Sequence, residues 1–125
     1  MTGYLWVGLG GALGSMARFW LAATMAALTG PRFPWGTLLI NVIGSFVIGW
    51  FGALTAESGP FDVPADIRLF VMVGLCGGFT TFSSFSLQTL ELLQSGEVVR
   101  AASYIAGSVV LCLLFVWIGA TLGRG

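Results

Sequence analysis

The sequence contains no lysine and no histidine, and it has little charge of either sign. Only 8% of its 125 residues are charged, five basic and five acidic, so the formal net charge is zero. Without imidazole, a histidine-based metal site and a Ser-His-Asp triad are excluded. A neutral chain also lacks the basic surface that a nucleic-acid partner requires. Nothing in the sequence predicts an enzyme.

What the chain has instead is apolar surface. Hydrophobic residues make up 57% of it, its mean hydropathy is +0.96, and 19 residues are glycine. A soluble domain carries roughly 25% charged residues, about three times the share present here. So few charges cannot cover a protein surface in water, and glycine suits close helix packing in membranes. We therefore expect an integral membrane protein.

The positions of the charges divide the chain. Three long stretches without charge, and a fourth with only Arg18, each reach the roughly 20 residues that a helix needs to cross a bilayer. Gly- and Pro-containing turns separate them. The first stretch is not expected to be a cleaved signal peptide, because its first charge lies in its middle. We predict an all-α membrane fold of one domain, residues 1–125, with spans at about 4–29, 35–56, 67–94 and 98–122.

The arginines give no preferred orientation. With four spans, Arg68 and Arg124 lie on one side of the membrane, and Arg32 and Arg100 lie on the other. Two against two leaves the positive-inside rule without a bias. The hypothesis that follows is a chain that inserts both ways up and pairs with an opposed copy, as the fused inverted repeats of larger transporters do.

Small residues in the first span recur four apart, at Gly10 and Gly14 and again at Gly11 and Ser15. This spacing is typical of closely packed membrane helices. Arg18 follows on the same helix. A lone intramembrane arginine binds helix-end carbonyls or faces a watery vestibule, and either use suits an anion pathway.

The third span carries two glycines followed by hydroxyl residues and phenylalanines, the segment from Gly77 to Phe85. Gly-Gly before two β-branched threonines disfavours a helix, so we predict a break near residues 75–80. Breaks at bilayer depth commonly supply backbone carbonyls to ions. The alternative is a continuous helix whose hydroxyls bond back to their own backbone.

Two phenylalanines beyond the break, Phe82 and Phe85, share a helix face. The edges of their rings are electropositive and can hold a bare anion without a fixed charge. Core packing is the alternative interpretation. In the second span, Asn41 lies one turn after Thr37. Asn41 either bonds a neighbouring helix or lines the ion path together with Thr37.

The fourth span has a polar stripe, Tyr104, Ser108 and Cys112, spaced four and four. It either passes an ion along by hydrogen bonds or contacts another helix. Cys76 and Cys112 are both expected to behave as small buried hydrophobic residues.

The four short spans, the run ending at Arg18, the segment from Gly36 to Asn41 and above all the segment from Gly77 to Phe85 resemble the Fluc/CrcB fluoride channels. The resemblance covers the whole chain in order and spacing. It implies an antiparallel, dual-topology homodimer in the bacterial plasma (inner) membrane. Such a dimer has two pores that passively export fluoride and confer fluoride resistance.

The resemblance also implies roles for single residues. A structural Na⁺ on the twofold axis would be held by backbone carbonyls, matching Gly77 and Thr80. Two residues depart from the usual pattern: Ser84 stands where Thr is usual, and Cys112 stands where a hydroxyl can continue the stripe. The fluoride path would be lined by Asn41, Phe82 and Phe85, with polar groups at Ser83, Ser84, Tyr104 and Ser108.

The runner-up function is a small multidrug-resistance-type exchanger, which also has four spans. Proton-coupled exchange needs an acid at membrane depth. The only acid within a predicted helix is Glu91, near the end of the third span, which argues against an exchanger. A non-conducting assembly subunit would explain the glycines but not the segment from Gly77 to Phe85.

Overall fold

The computed structural model describes all 125 residues, and every regular element in it is helical. The third helical stretch begins as an α-helix at Ala65–Arg68, continues as a π-helix over Leu69–Leu75 and ends as an α-helix at Cys76–Phe79. We name this stretch α3. The prediction of an all-α chain whose third span is bent is confirmed. The helices are α1 (Thr2–Thr29), α2 (Trp35–Leu54), α3 (65–79), α4 (Phe82–Gln94) and α5 (Val98–Arg124).

Three helical stretches are long and apolar enough to cross a membrane: Trp35–Leu54, Ala65–Gln94 and Val98–Arg124. The shortest, α2, has 20 residues and is therefore about 30 Å long, close to the thickness of a bilayer core. Helix α1 has 28 residues and a length of about 42 Å. It lies against α3.

Glycines set the distance between α1 and α3. Gly10 and Gly14 are buried on α1. A Cβ atom added to Gly10 would lie 2.9 Å from the Cα of Gly74, and one added to Gly78 would lie 2.9 Å from the Cα of Gly11. Since neither distance leaves room for a side chain, the two backbones touch. The packing interpretation of the small residues in the first span is confirmed.

The most extensive interface within the chain joins α2 and α5. It uses small residues in the same way: a Cβ atom on Gly119 would lie 3.0 Å from the amide nitrogen of Trp50, and one on Gly123 would lie 2.9 Å from the Cβ of Ala53. Such approaches suit helices in lipid, where association depends on backbone packing rather than on a hydrophobic driving force.

Large apolar side chains cover the outside of the molecule. Phe19 is 76% exposed, Trp20 67% and Leu113 64%, although all three lie in the middle portions of long helices. In water this surface would be unstable, but hydrocarbon solvates it as well as a protein core would. The exposure pattern therefore agrees with the membrane location predicted from composition.

The bend in the third span lies at Thr80 and Thr81, at the C-terminal edge of the predicted interval rather than at the glycines. Both threonines are extended, with φ/ψ of −81°/156° and −152°/113°. Gly77 and Gly78 are helical. Gly78 is needed for contact with α1, whereas Thr81 caps α4, because its hydroxyl oxygen accepts the Ser84 amide at 3.1 Å.

Candidate ion site at the helix break

One side chain from the neighbouring helix stabilises the break through two hydrogen bonds. The amide of Asn41 on α2 bonds both backbone groups of Thr81: its Nδ2 donates to the Thr81 carbonyl at 3.0 Å, and its Oδ1 accepts the Thr81 N–H at 2.8 Å. These are the bonds that a continuing helix would have supplied. The interpretation of Asn41 as a residue that bonds a neighbouring helix is confirmed, and the residue also lines a cleft.

The carbonyls of Gly77 and Thr80 are among those that the break frees from their usual helical partners. In a continuous helix the Gly77 carbonyl would accept the Thr81 N–H, which is instead bonded to Asn41. The Thr80 carbonyl would accept the Ser84 N–H, which is bonded to the Thr81 hydroxyl. These are the two carbonyls for which the resemblance implies a sodium ion. Backbone oxygens released in this way suit a hard cation.

Two side chains of α1 bind the carbonyl next to the break. Arg18 donates from Nε to the Gly78 carbonyl at 3.1 Å, and the hydroxyl of Ser15 lies 3.5 Å from the same oxygen. Arg18 therefore pairs with a helix-end carbonyl, one of the two uses expected for it. The bond uses Nε, and the terminal nitrogens of Arg18 make no hydrogen bond within the chain.

The hydroxyl groups around the break also bond back to the chain. Thr80 Oγ1 donates to the Cys76 carbonyl at 2.8 Å, Ser86 Oγ to the Phe82 carbonyl at 2.9 Å and Thr89 Oγ1 to the Phe85 carbonyl at 2.8 Å. Such bonding is what the alternative interpretation, a continuous third helix, predicts. The structure contains it together with the break, so the two alternatives are not exclusive.

A cleft of about 350 Å³ opens beside the break, and no charged side chain lines it. At its wall the hydroxyl of Ser108 has no hydrogen-bond partner, although this residue is only 6% exposed. A buried hydroxyl without a partner is costly and is rare in native proteins. Six of the predicted site residues meet in this cleft: Asn41, Gly77, Thr80, Phe82, Phe85 and Ser108.

The two phenylalanines form a pair, as their spacing predicts. The ring centroids of Phe82 and Phe85 lie 5.4 Å apart, and Phe85 lies 4.9 Å from the ring of Tyr104. Phe82 is 78% exposed, so it is not core packing within this chain. Phe85 is half-buried between the cleft and Tyr104. The aromatic groups therefore form a row from the surface inward.

Five predicted site residues lie outside the cleft. Ser83 is exposed, and its hydroxyl lies 3.4 Å from that of Thr81. Ser84 contributes its backbone amide to the cap of α4, while Tyr104 is fully buried behind Phe85. The remaining residues away from this cleft are Thr37 and Arg18.

A second cleft, of about 330 Å³, lies on the other side of Tyr104, and Thr37 lines it. Gln88 lines it too, and its Oε1 accepts the Tyr104 hydroxyl proton at 2.8 Å. The sequence interpretation missed Gln88, although its position, one turn after Phe85, signals the same helix face. Glu91 is an exposed residue at this cleft. Asp66, in the first turn of α3, is a second helical acid that the predicted boundaries left outside the span.

A protein-family model described as "CrcB-like protein, Camphor Resistance (CrcB)" matches residues 5–120. The chain belongs to the CrcB family. The match contains the whole of the site described above, from Arg18 and Asn41 to Ser108. The resemblance stated from the sequence is thereby confirmed.

Relatives of this CrcB protein are named "Fluoride-specific ion channel FluC". The one from Methylocella silvestris is 63% identical over 116 residues, which are 93% of this chain and 88% of the relative. The one from Opitutus terrae is 57% identical over 95% of this chain and 90% of the relative. The one from Rhodospirillum rubrum is 56% identical over 93% and 90%.

Proposed function

We propose that this CrcB protein is a fluoride-selective channel that passively exports fluoride and confers fluoride resistance. The observation that carries the proposal is the uncharged cleft at the helix break, lined by Asn41, Phe82, Phe85 and the unpartnered Ser108 hydroxyl. The names of its relatives support the choice of ion. Reconstitution into liposomes, with fluoride efflux recorded by a selective electrode, tests it.

The donors in the cleft match the needs of a small anion. The Ser108 hydroxyl proton has no acceptor in the chain, and Asn41 Nδ2 has a second proton beyond the one bonded to Thr81. The edges of Phe82 and Phe85 supply further positive potential. A strongly hydrated anion gives up water only where such groups replace it. Because none of them carries a full charge, the ion is also free to leave.

The channel is proposed to be an antiparallel homodimer. Phe82 is 78% exposed, and an added Cβ on Gly77 would meet nothing within 4 Å, so this side of the break is open to a partner. All four helical stretches, α1 included, cross the bacterial plasma membrane in this proposal. The even split of arginines allows both orientations. A C-terminal reporter found on only one side of the membrane would contradict the dual topology.

The sodium ion remains a proposal that the free carbonyls support. Gly77 and Thr80 would hold it through backbone oxygens, and it would offset the negative, C-terminal end of the α3 dipole at the break. The role of this chain is to keep both oxygens free, through the bonds of Asn41 and Thr81 described above. Sodium-free preparation should lower the thermal stability of the pair, and re-addition should restore it. Equal stability in both preparations would remove the ion from the proposal.

A further inference from the structure

Three sulfur-containing residues line the cleft at the helix break, a feature that fluoride conduction does not require. Met72 and Cys76 come from α3, and Cys112 comes from α5. Met72 and Cys76 are four residues apart, as are Ser108 and Cys112, so each pair occupies one face of its helix. The two faces line the cleft together. Both cysteines were expected to be small buried hydrophobic residues; Cys76 is buried, whereas Cys112 is only half-buried.

The residues between these faces leave the space open. On α2 the cleft is lined by Gly44 and Ser45, which are too small to fill it. Gly52, two turns further along, accommodates the thioether of Met72, since a Cβ there would lie 3.0 Å from the methionine Cε. Cys76 is 4% exposed, and Cys112 is half-buried. The unpartnered hydroxyl of Ser108, more than nine-tenths buried on the same wall, is a further donor atom for a ligand.

We propose that this cleft is a binding site for a soft, thiophilic metal ion such as Ag⁺, held by Cys76 and Cys112 with the thioether of Met72. Thiolate and thioether sulfur select soft ions over the hard Na⁺ and Mg²⁺. On binding, each coordinating thiol forms a sulfur–metal bond and releases its proton to the solvent, without any change of oxidation state. An ion placed there would lie beside Phe85 and Asn41 and would obstruct the cleft.

Metal retention tests the site independently of conduction. Purified protein in chloride-free buffer is incubated with excess Ag⁺, passed through a desalting column and analysed for silver per chain. We expect one retained ion per chain, lost in the Cys76→Ser/Cys112→Ser double variant and weakened in Met72→Leu. The matched control is Cys112→Ser/Leu113→Cys, which keeps two thiols but moves one to a lipid-facing position outside the cleft. It should lose the ion as well.

Three results would overturn the proposal. They are no silver on the wild-type chain, two ions bound independently at the two thiols, or full retention by the control with the displaced thiol. A second measurement rests on the proposed function: Ag⁺ should block fluoride efflux from wild-type liposomes, with each variant normalised to its own uninhibited rate. Silver retention without fluoride efflux would contradict the channel and leave the metal site standing.

Discussion

The side chain of Asn41 bonds both the N–H and the C=O of Thr81, at 2.8 and 3.0 Å, and so replaces a helical turn with a contact between helices. Both residues of this pair line the cleft at the break. The Asn41 side chain takes the Thr81 N–H away from the Gly77 carbonyl, and it leaves Thr81 in position to cap α4.

Replacing Asn41 by Ala should lower the free energy of unfolding by about 2 kcal/mol, because two partly buried backbone groups lose their partner. Asn41→Asp should, in addition to any loss of stability, abolish most conduction, because it places a negative charge beside the anion path. Thermal unfolding in detergent and liposome efflux separate the effects. Equal efflux from the Ala and Asp variants would show that the charge is irrelevant.

Phe82→Ile should reduce fluoride efflux at least about tenfold while changing stability by no more than about 0.5 kcal/mol, because the ring is 78% exposed. The loss follows from removing an electropositive ring edge from the path. Phe19→Ile is the matched control, with 76% exposure on α1 and no contact with the cleft. Phe85→Ile should reduce efflux similarly. Unchanged efflux in both variants would remove the ring edges from the mechanism.

Ser108→Ala should leave stability unchanged or raise it by up to about 1 kcal/mol, because the hydroxyl has no partner to lose. Efflux should fall about tenfold, since a hydrogen bond to a charged species contributes about 1.5–3 kcal/mol. Ser103→Ala, exposed on the same helix and outside both clefts, is the control. A variant that conducts normally would show that the hydroxyl never meets the ion.

The effects of Tyr104→Phe and Gln88→Ala on the free energy of unfolding should not be additive. The Tyr104 hydroxyl donates to Gln88 Oε1 at 2.8 Å, and Tyr104 is fully buried. A double-mutant cycle on thermal unfolding should give an interaction energy of about 1 kcal/mol. Additive losses would mean that the bond between them contributes nothing to the fold.

Gly10→Ala should destabilise the protein by about 1–3 kcal/mol, because the added methyl group meets the backbone of Gly74. Gly8→Ala is the control: nothing lies within 4 Å of its added Cβ, so better helix propensity should stabilise it by up to about 1 kcal/mol. Unfolding in detergent should therefore show opposite changes in the free energy of unfolding for these two substitutions, although they are only two residues apart. The same sign would contradict the close approach of α1 to α3.

The sequence predicted the helices closely, because charge-free stretches and Gly-Pro turns are local signals. The bend was predicted from the same local preferences and was therefore placed too early. Propensity disfavours a helix at Gly77 and Gly78, but both residues are helical, and Gly78 packs against Gly11 of α1. The actual break needs Asn41, 40 residues away, to accept and donate the bonds of Thr81. No local pattern contains that information.

Within the site, spacing on one helix predicted the pairing of Phe82 with Phe85. The grouping of Asn41, Phe85 and Ser108 in one cleft involves three different helices, and the family resemblance rather than spacing indicated it. Gln88 was missed because a lone glutamine near a helix end is unremarkable until Tyr104 is seen bonded to it. The shared cleft of Cys76 and Cys112 was hidden for the same reason.

The central claim is that fluoride passes through the cleft as a free ion, and electrogenic efflux tests it most directly. Liposomes that contain the protein and potassium fluoride are diluted into fluoride-free medium, and a fluoride electrode follows release with and without a potassium ionophore. The account predicts rapid fluoride release only when the ionophore carries the compensating charge, no dependence on an imposed proton gradient, and far slower release of chloride. Release that needs no ionophore but follows the proton gradient would contradict it and would indicate an exchanger.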